Sequence, residues 1–358
     1  MHIGLKRKPM LRPLTDIPIA AFPELMRELE LKPYAAGQVL KWLYQKRAGT
    51  LGEMTDLSKK TREKLSSKFR IDALEVAEIL EAKDGTKKFL CRAADGECVE
   101  CVLIPADDER WTVCVSTQVG CKMACSFCRT GDMGFCRNLT CGEIISQLRI
   151  AMRTCPSLVT NVVFMGMGEP LENYESVAAA IRIFCDEQGF AMSKKRVTLS
   201  TCGLISELEK FVSEFDIKIA ISLSATTDEV RNRLMPINRK YPIAEIMKFC
   251  RKYAKNTRHR VTFEYVLIGG VNDFKEDAAR FVKILRGIPA KVNLIPFNPF
   301  EGSGFSAPSA DTVAYWSSYI YEKGIQTNIR ASRGQEILAA CGQLATAATA
   351  KRSSPDQS

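Results

Sequence analysis

The stretch Cys121-Lys122-Met123-Ala124-Cys125-Ser126-Phe127-Cys128 decides how the rest of the chain is interpreted. Its three thiols are four and three residues apart and follow a glycine and a short β-like run. Three thiolates can hold three corners of a four-iron cluster, whereas a closed electron-transfer cluster normally takes four. No fourth cysteine lies at matching spacing. The stretch therefore predicts an iron–sulfur site with one iron open to a small molecule. The alternatives are a zinc site, which also lacks its fourth ligand here, and coincidence in a cysteine-rich chain.

Composition narrows the class of protein around this stretch. The chain has 358 residues, 46% of them hydrophobic, and a net charge of +10. That length can bury a large core, and the charge permits a polyanionic partner such as RNA without requiring one. The two histidines, His2 and His259, lie outside any motif, which argues against a histidine base or a histidine-rich metal site.

Localisation follows from what the sequence lacks. No run approaches the roughly 18 apolar residues that span a bilayer, and residues 1–8 lack the apolar core of a signal peptide. We therefore expect a cytoplasmic protein without membrane association. Most of its fourteen cysteines should be reduced thiols.

The first hundred residues divide into a helical and a β-rich stretch. Apolar residues between Leu14 and Phe69 recur at three- and four-residue spacing, which predicts three short helices. Lysines and arginines crowd this stretch. Residues 1–70 are therefore predicted to be an RNA-docking module, with an ordinary solvated surface as the alternative. Two β-like runs separated by Asp-Gly turn signals follow, so residues 71–108 are predicted to be a β connector.

The remainder alternates apolar β runs with helical stretches. The runs lie at 112–116, 161–165, 196–200, 218–223, 260–267, 291–295 and 327–330. Such alternation predicts parallel strands with helices outside, hence a barrel or part of one, with its chemistry at the carboxyl ends of the strands. Residues 109–346 are predicted to form this barrel. The polar residues 347–358 are predicted to be a disordered tail.

The cysteine spacing at the end of a first barrel strand resembles the radical S-adenosylmethionine superfamily. Six ordered motifs are similar to the RlmN family within it, at 114–121, 166–170, 197–201, 235–238, 293–300 and 340–344. The resemblance implies an α/β fold: a partial (β/α)6 TIM-type barrel with an N-terminal helical accessory domain and a β connector. It also implies a methyltransferase that acts on C2 of an adenosine in 23S ribosomal RNA, and in some members in the tRNA anticodon loop, through a methyl-cysteine intermediate.

The resemblance assigns roles residue by residue. The cluster ligands correspond to Cys121, Cys125 and Cys128. The cofactor contacts correspond to Gly168, Glu169, Ser200, Ser222, Leu223, Ser224 and Asn298, with Ser224 in place of the usual histidine. The methyl-carrying cysteine corresponds to Cys341, the resolving cysteine to Cys114, and the proton acceptor, after a one-residue shift in spacing, to Glu100. The implied cofactors are one [4Fe–4S] cluster and two molecules of S-adenosylmethionine per turnover. We expect a monomer. Its implied partners are the RNA substrates and an electron donor such as flavodoxin.

A radical route suits the implied reaction because adenine C2 is an electron-poor carbon that does not attack a sulfonium methyl group. Apart from the resemblance, Cys114 is interpreted as a buried strand cysteine and Cys341 as a helix-terminal core cysteine. The nine cysteines not yet assigned are interpreted as small hydrophobic residues. Three rival functions remain open: a related adenosine C8 methyltransferase, an iron–sulfur protein that binds RNA or transfers electrons without catalysis, and a zinc-dependent module.

Overall fold

The computed structural model of the protein describes residues 11–106, 109–257 and 259–346, so the predicted tail at 347–358 lies outside the described residues. The helices are α1 (Phe22–Glu28), α2 (Ala35–Leu40), α3 (Lys59–Ser66), α4 (Arg129–Asp132), α5 (Cys141–Thr154), α6 (Tyr174–Cys185), α7 (Ile205–Glu214), α8 (Asp228–Leu234), α9 (Ile243–Asn256), α10 (Lys275–Leu285) and α11 (Ala310–Glu322). The strands are β1 (Arg12–Pro13), β2 (Phe69–Arg70), β3 (Glu75–Glu81), β4 (Lys87–Arg92), β5 (Cys98–Pro105), β6 (Trp111–Cys114), β7 (Gln118–Gly120), β8 (Phe135–Asn138), β9 (Val159–Phe164), β10 (Val197–Thr201), β11 (Lys218–Ser222), β12 (Val261–Leu267), β13 (Ala290–Pro296) and β14 (Gln326–Ile329).

One sheet organises the described chain. Its ten strands run in the order β14-β13-β12-β11-β10-β9-β6-β5-β4-β3. The seven strands from β6 to β14 pair in parallel, and β5, β4 and β3 continue the sheet antiparallel. Parallel strands need a crossover, and a helix fills each one here. The strand–helix pattern predicted from the sequence is confirmed.

The strand count agrees with a partial barrel. Six β/α units begin at β6, β9, β10, β11, β12 and β13, and β14 adds a seventh parallel strand. In this ordering β14 and β3 are the two edges, so the barrel is open. The strand interiors are apolar and fully buried, as in Val292 and Leu294 of β13, because helices cover the outer face of a parallel sheet.

The three predicted N-terminal helices correspond to α1, α2 with the π-helical turn that continues it, and α3. Their periodic apolar residues are buried, for example Phe22, Val39 and Leu65. This stretch packs on α5 through the turn Leu14–Asp16. Arg149 of α5 also donates to Asp72 at 2.6 Å and to the Ala48 carbonyl at 2.5 Å. The helical stretch thus shares a core with the barrel. The boundaries at residues 70 and 108 stay a prediction.

The β stretch contains one strand more than the sequence runs indicated. β4 and β5 match the predicted runs, but β3 was not predicted because its residues, Glu-Val-Ala-Glu-Ile-Leu-Glu, are all exposed and lack an apolar face. Backbone pairing with β4 holds it at the sheet edge. Among the described residues, no helix is long and apolar enough to cross a membrane.

Candidate active site

A cavity of about 970 Å³, including its mouth, opens at the carboxyl ends of the parallel strands. The cysteine loop after β7, the turn after β9, the ends of β10, β11 and β13, and the segment around Cys341 line it. Nine predicted site residues meet there: Cys121, Cys125, Cys128, Gly168, Glu169, Ser200, Ser222, Asn298 and Cys341. The volume is that of a site for a small-molecule cofactor.

The cysteine loop connects β7 to α4. Cys121 N donates to Gly134 O at 2.8 Å, and Cys128 N donates to Cys125 O at 3.0 Å, so backbone bonds fix both ends of the triplet. Gly120 has φ of 74°, and a Cβ there would lie 1.8 Å from Gly134 O, so this position requires glycine. Burial raises the pKa of all three thiols, to about 12 for Cys121. Metal binding would remove these protons.

The cysteine triplet could hold either a single zinc ion or an iron–sulfur cluster. Among the described residues, no three His, Cys, Asp or Glu side chains are grouped to hold a single metal ion. A mononuclear zinc site needs its sulfur ligands about 2.3 Å from one point. A cluster instead gives each thiolate its own iron and spreads the sulfur atoms apart. Three thiols on one loop that faces one cavity are a donor set that suits a cluster with one open iron.

The turn Gly166-Met167-Gly168-Glu169-Pro170 follows β9 and packs on the residues between β6 and β7. A Cβ at Gly168, where φ is 95°, would lie 2.5 Å from the Gln118 Cβ. Glu169 N donates to Gln118 Oε1 at 2.9 Å, and Glu169 Oε2 accepts from Cys202 N at 2.8 Å. Burial is the largest effect on the Glu169 carboxyl and raises its pKa, against the hydrogen bond that the carboxyl accepts from Cys202 N. The turn thereby aims a buried carboxyl at the cavity.

Two predicted cofactor contacts do not line the cavity that the described residues form. Leu223 and Ser224 are buried behind Ser222, and Leu223 N donates to Glu264 O at 3.0 Å. Ser224 has φ of 49°, its Oγ accepts from Val266 N at 3.3 Å, and its carbonyl accepts from Asn272 at 2.7 Å. The Ser224 side chain therefore serves the strand junction.

The segment around Cys341 folds over the cavity, and elements that are distant in sequence donate hydrogen bonds to its backbone. Asn298 Nδ2 donates to Cys341 O at 3.3 Å, while Arg129 N donates to Gly342 O at 2.8 Å. Thr130 Oγ1 donates to Leu344 O at 2.7 Å. Arg129 and Thr130 belong to α4, directly after the cysteine triplet. The exposed thiol of Cys341 is thus held beside the cysteine loop.

Glu100 lies on β5, buried and outside the cavity lining. Its Oε1 is 3.0 Å from Lys88 Nζ, and its Oε2 accepts from Ala345 N at 2.9 Å. Burial raises the pKa of the Glu100 carboxyl, and Lys88 lowers it. The carboxylate therefore holds the end of the Cys341 segment in place.

Cys114 ends β6 and is a buried free thiol. Its pKa is raised to about 12, chiefly by burial; Cys341 contributes to the rise, and Arg330 opposes it. The two thiols predicted to react with each other therefore lie within electrostatic reach. No disulfide joins them in this structure.

The sequence analysis missed several residues of the site. Arg231 is fully buried and donates to the carbonyls of Cys202, Ser222 and Leu223 behind the cavity wall. Glu264 and Cys202 line the cavity. A charged residue within the apolar run of β12 was the available signal for Glu264. Of the nine cysteines interpreted as hydrophobic, Cys136 is exposed, so that interpretation is wrong for it, because it lies on β8 at the surface.

Comparison with known families agrees with this geometry. Residues 115–282 match the model of the radical SAM superfamily, and residues 13–71 match the model of the ribosomal RNA large subunit methyltransferase N-terminal domain. The chain is 45% identical over 331 residues to a protein of Syntrophotalea carbinolica named dual-specificity RNA methyltransferase RlmN, covering 92% of this chain and 89% of that one. It is 48% identical over 311 residues to the protein of the same name from Geobacter sulfurreducens, covering 87% and 86%.

A solved structure has the same fold. It is a radical SAM methyltransferase from Sphaerobacter thermophilus, 41% identical, with a TM-score of 0.90 over 93% of this chain and 99% of that one.

Proposed function

Because this chain belongs to the RlmN family of radical SAM RNA methyltransferases, we propose that it methylates C2 of an adenosine in 23S ribosomal RNA and in tRNA. One observation carries the proposal: the cysteine triplet, the Gly168-Glu169 turn and the Cys341 thiol face a single cavity. A non-catalytic iron–sulfur protein would have no use for a thiol held over the cofactor cavity by Asn298 and α4.

Cys121, Cys125 and Cys128 would hold the [4Fe–4S] cluster, and Glu169, Ser200, Ser222 and Asn298 would contact S-adenosylmethionine. When bound, the cluster and two molecules of S-adenosylmethionine per turnover supply a methyl group and a carbon radical. The cavity walls exclude water from that radical, because most of their lining side chains are apolar.

The residues of the chain would then act in sequence. Cys341, exposed at the cavity, receives the methyl group and later tethers the RNA through a sulfur–carbon bond. Glu100 accepts the proton from C2. Cys114 attacks the Cys341 sulfur and forms a disulfide, which frees the methylated RNA. The electrostatic coupling of the two thiols supports this pairing. A reducing cytoplasm would restore both thiols between turnovers.

RNA would dock partly on the helical module at residues 1–70. Lys59, Lys60 and Lys68 are exposed on or next to α3, and Lys64 pairs with Glu30 at 2.8 Å. Exposed cations of this kind neutralise phosphates, and the target base must leave its stack to reach the barrel interior. We further propose that the enzyme acts as a monomer and takes electrons from a flavodoxin-type protein.

Mass spectrometry of RNA nucleosides tests the function. Cells that lack this chain should lose 2-methyladenosine from 23S RNA and tRNA. The intact gene should restore the nucleoside, and a Cys341→Ala gene should not. Appearance of 8-methyladenosine instead would assign the chain to the rival C8 activity. Absence of any methyladenosine change in either RNA would contradict the proposal.

A further inference from the structure

Arg330, which directly follows β14, lies at the cavity wall without any role assigned so far. Its Nη1 donates to Met165 Sδ at 3.2 Å and lies 3.8 Å from Glu264 Oε1. Both of these partners line the cavity. The backbone N–H of Arg330 donates to Leu294 O at 2.8 Å, which extends the pairing of β14 with β13 and fixes the side chain's origin.

Met165 connects Arg330 to the end of β6. Cys114 pairs in register with Val163 on β9. Val115 N donates to Val163 O at 3.0 Å and Gly166 N donates to Val115 O at 3.1 Å, which places Met165 beside the end of β6. The same methionine accepts from the guanidinium through its sulfur atom. The Arg330 charge acts on the thiols of both Cys114 and Cys341. Arg330, Cys114 and Cys341 therefore form one electrostatic cluster at the side of the cavity.

We propose that Arg330 is a positioning residue for product release, stabilising the Cys114 thiolate as it attacks the Cys341 sulfur. This inference rests on the function proposed above. In the step, the S–S bond between the two cysteines forms while the bond from the Cys341 sulfur to the RNA methylene breaks. The electron pair of the broken bond stays on the methylene carbon, which takes a proton and becomes the methyl group. The two sulfur atoms are oxidised and the carbon is reduced by the same two electrons.

Burial decides which of the two cysteines needs the cation. Cys341 is exposed, so water can stabilise its thiolate, whereas Cys114 is 7% exposed. A buried thiolate is disfavoured, and only the ionised thiol attacks sulfur. Glu264 Oε1 is 3.8 Å from Arg330 Nη1 and accepts a shorter hydrogen bond, of 2.8 Å, from Asn293 Nδ2. The guanidinium is thus only loosely paired with its carboxylate neighbour.

The size of the effect follows from the thiolate population. An opposite charge at close range lowers the pKa of a thiol by about 1–3, so removing that charge lowers the thiolate fraction accordingly. The thiolate that remains is more basic and a stronger nucleophile, which on a logarithmic scale offsets roughly half of that fall. Arg330→Met should therefore slow release by roughly 4-fold to 40-fold, by the same two relations. Arg330→Lys keeps the charge and should recover most of the rate. Arg286→Met, which removes an exposed arginine after α10, is the control for loss of one positive charge.

The experiment is a single-turnover reaction of the holoenzyme with RNA, quenched over time and run on a denaturing gel. Cys114→Ala provides the reference, in which the RNA stays covalently attached to Cys341. In Arg330→Met the nuclease-sensitive adduct should form at the native rate and decay slowly, and the mass of the Cys341 peptide should show normal methylation before RNA is added. In Arg330→Lys and Arg286→Met the adduct should decay near the native rate.

The outcomes separate the two claims. If Cys114→Ala forms no adduct, the proposed function fails. If Cys114→Ala forms it but Arg330→Met clears it as fast as the native enzyme, the inference about Arg330 is wrong. It is also wrong if Arg330→Met abolishes methylation of Cys341, or if Arg330→Lys decays as slowly as Arg330→Met, because charge would then not be the reason.

Discussion

Replacing Lys88 by Met should destabilise the protein in a pH-dependent manner, because it removes one partner of a buried ion pair. Lys88 Nζ and Glu100 Oε1 are 3.0 Å apart, and the two side chains are 9% and 6% exposed. Leaving a buried charge without its partner costs about 3–5 kcal/mol. Glu100 can avoid that cost only by taking a proton.

Protonation sets the pH dependence. Burial already raises the pKa of Glu100, and Lys88 is the group that opposes this most strongly, so its removal raises the pKa further. An unfolded glutamate has a pKa of about 4.3, and holding it neutral costs about 1.4 kcal/mol for each pH unit above that value. Holding Glu100 neutral therefore costs the variant about 1 kcal/mol at pH 5 and about 4 kcal/mol at pH 7. The loss relative to the native protein is smaller than these figures, because the native Glu100 also has a raised pKa and already bears part of the cost. The loss grows as pH rises through this window.

Denaturant unfolding between pH 5 and 8 measures this loss. The matched control is Lys87→Met, because the adjacent lysine pairs with Glu81 at 3.3 Å at the surface, where a pair contributes about 0–1 kcal/mol. The double variant Lys88→Met/Glu100→Gln buries no charge and should regain most of the stability. RNA methylation by Lys88→Met should also require a higher pH, since neutral Glu100 cannot accept a proton. A loss of equal size at pH 5 and pH 7 would refute this reasoning.

Three further predictions concern the cluster, the cofactor turn and RNA docking. Cys125→Ala should lose iron and sulfide together, as measured by elemental analysis. The control Cys136→Ala, which changes an exposed cysteine, should retain both. A full cluster in Cys125→Ala would show that the triplet is not the cluster site. Gly168→Ala should weaken S-adenosylmethionine binding in calorimetry by at least tenfold, because its Cβ would lie 2.5 Å from the Gln118 Cβ. Gly96→Ala is the control, since Gly96 also has a positive φ but a Cβ there would meet nothing within 4 Å. Equal effects of the two substitutions would disprove the argument from close approach. Lys60→Glu/Lys68→Glu should weaken RNA binding and lower its salt slope without changing cofactor cleavage, and unchanged binding would exclude α3 from the docking face.

The sequence was sufficient for the parts of the fold that depend on periodicity. Each of the seven predicted β runs became one of the seven parallel strands. The central strands, such as β11 and β13, are rich in buried apolar residues because helices cover the outer face of the sheet. The glycine turn of the site could also be predicted from the sequence: Gly168 follows a strand and has the positive φ that such a turn needs. The cavity-lining cysteines and the Gly168-Glu169 pair lay where the carboxyl ends of strands were expected.

The positions of residues that depend on tertiary packing could not be predicted from the sequence. Nothing near Arg330 in the sequence indicates that it faces Met165, which lies 165 positions earlier. Ser224 corresponds to a cofactor position of the family. The sequence does not indicate its left-handed backbone or the two hydrogen bonds that hold it at the strand junction. β3 is held by pairing with β4 alone, and an exposed edge strand leaves no apolar pattern to detect.

The Cys341 segment shows why its position could not come from local sequence. It has no regular strand or α-helix of its own between Gly334 and Thr346, so its geometry comes from the partners that bind its backbone. Those partners are α4 after the cysteine loop, Asn298 at the cofactor cavity, and Glu100. Each of these also has a proposed task in the reaction or directly follows a residue that does. The same contacts that place the thiol therefore make its position depend on the cluster loop, the cofactor wall and the base being correctly folded.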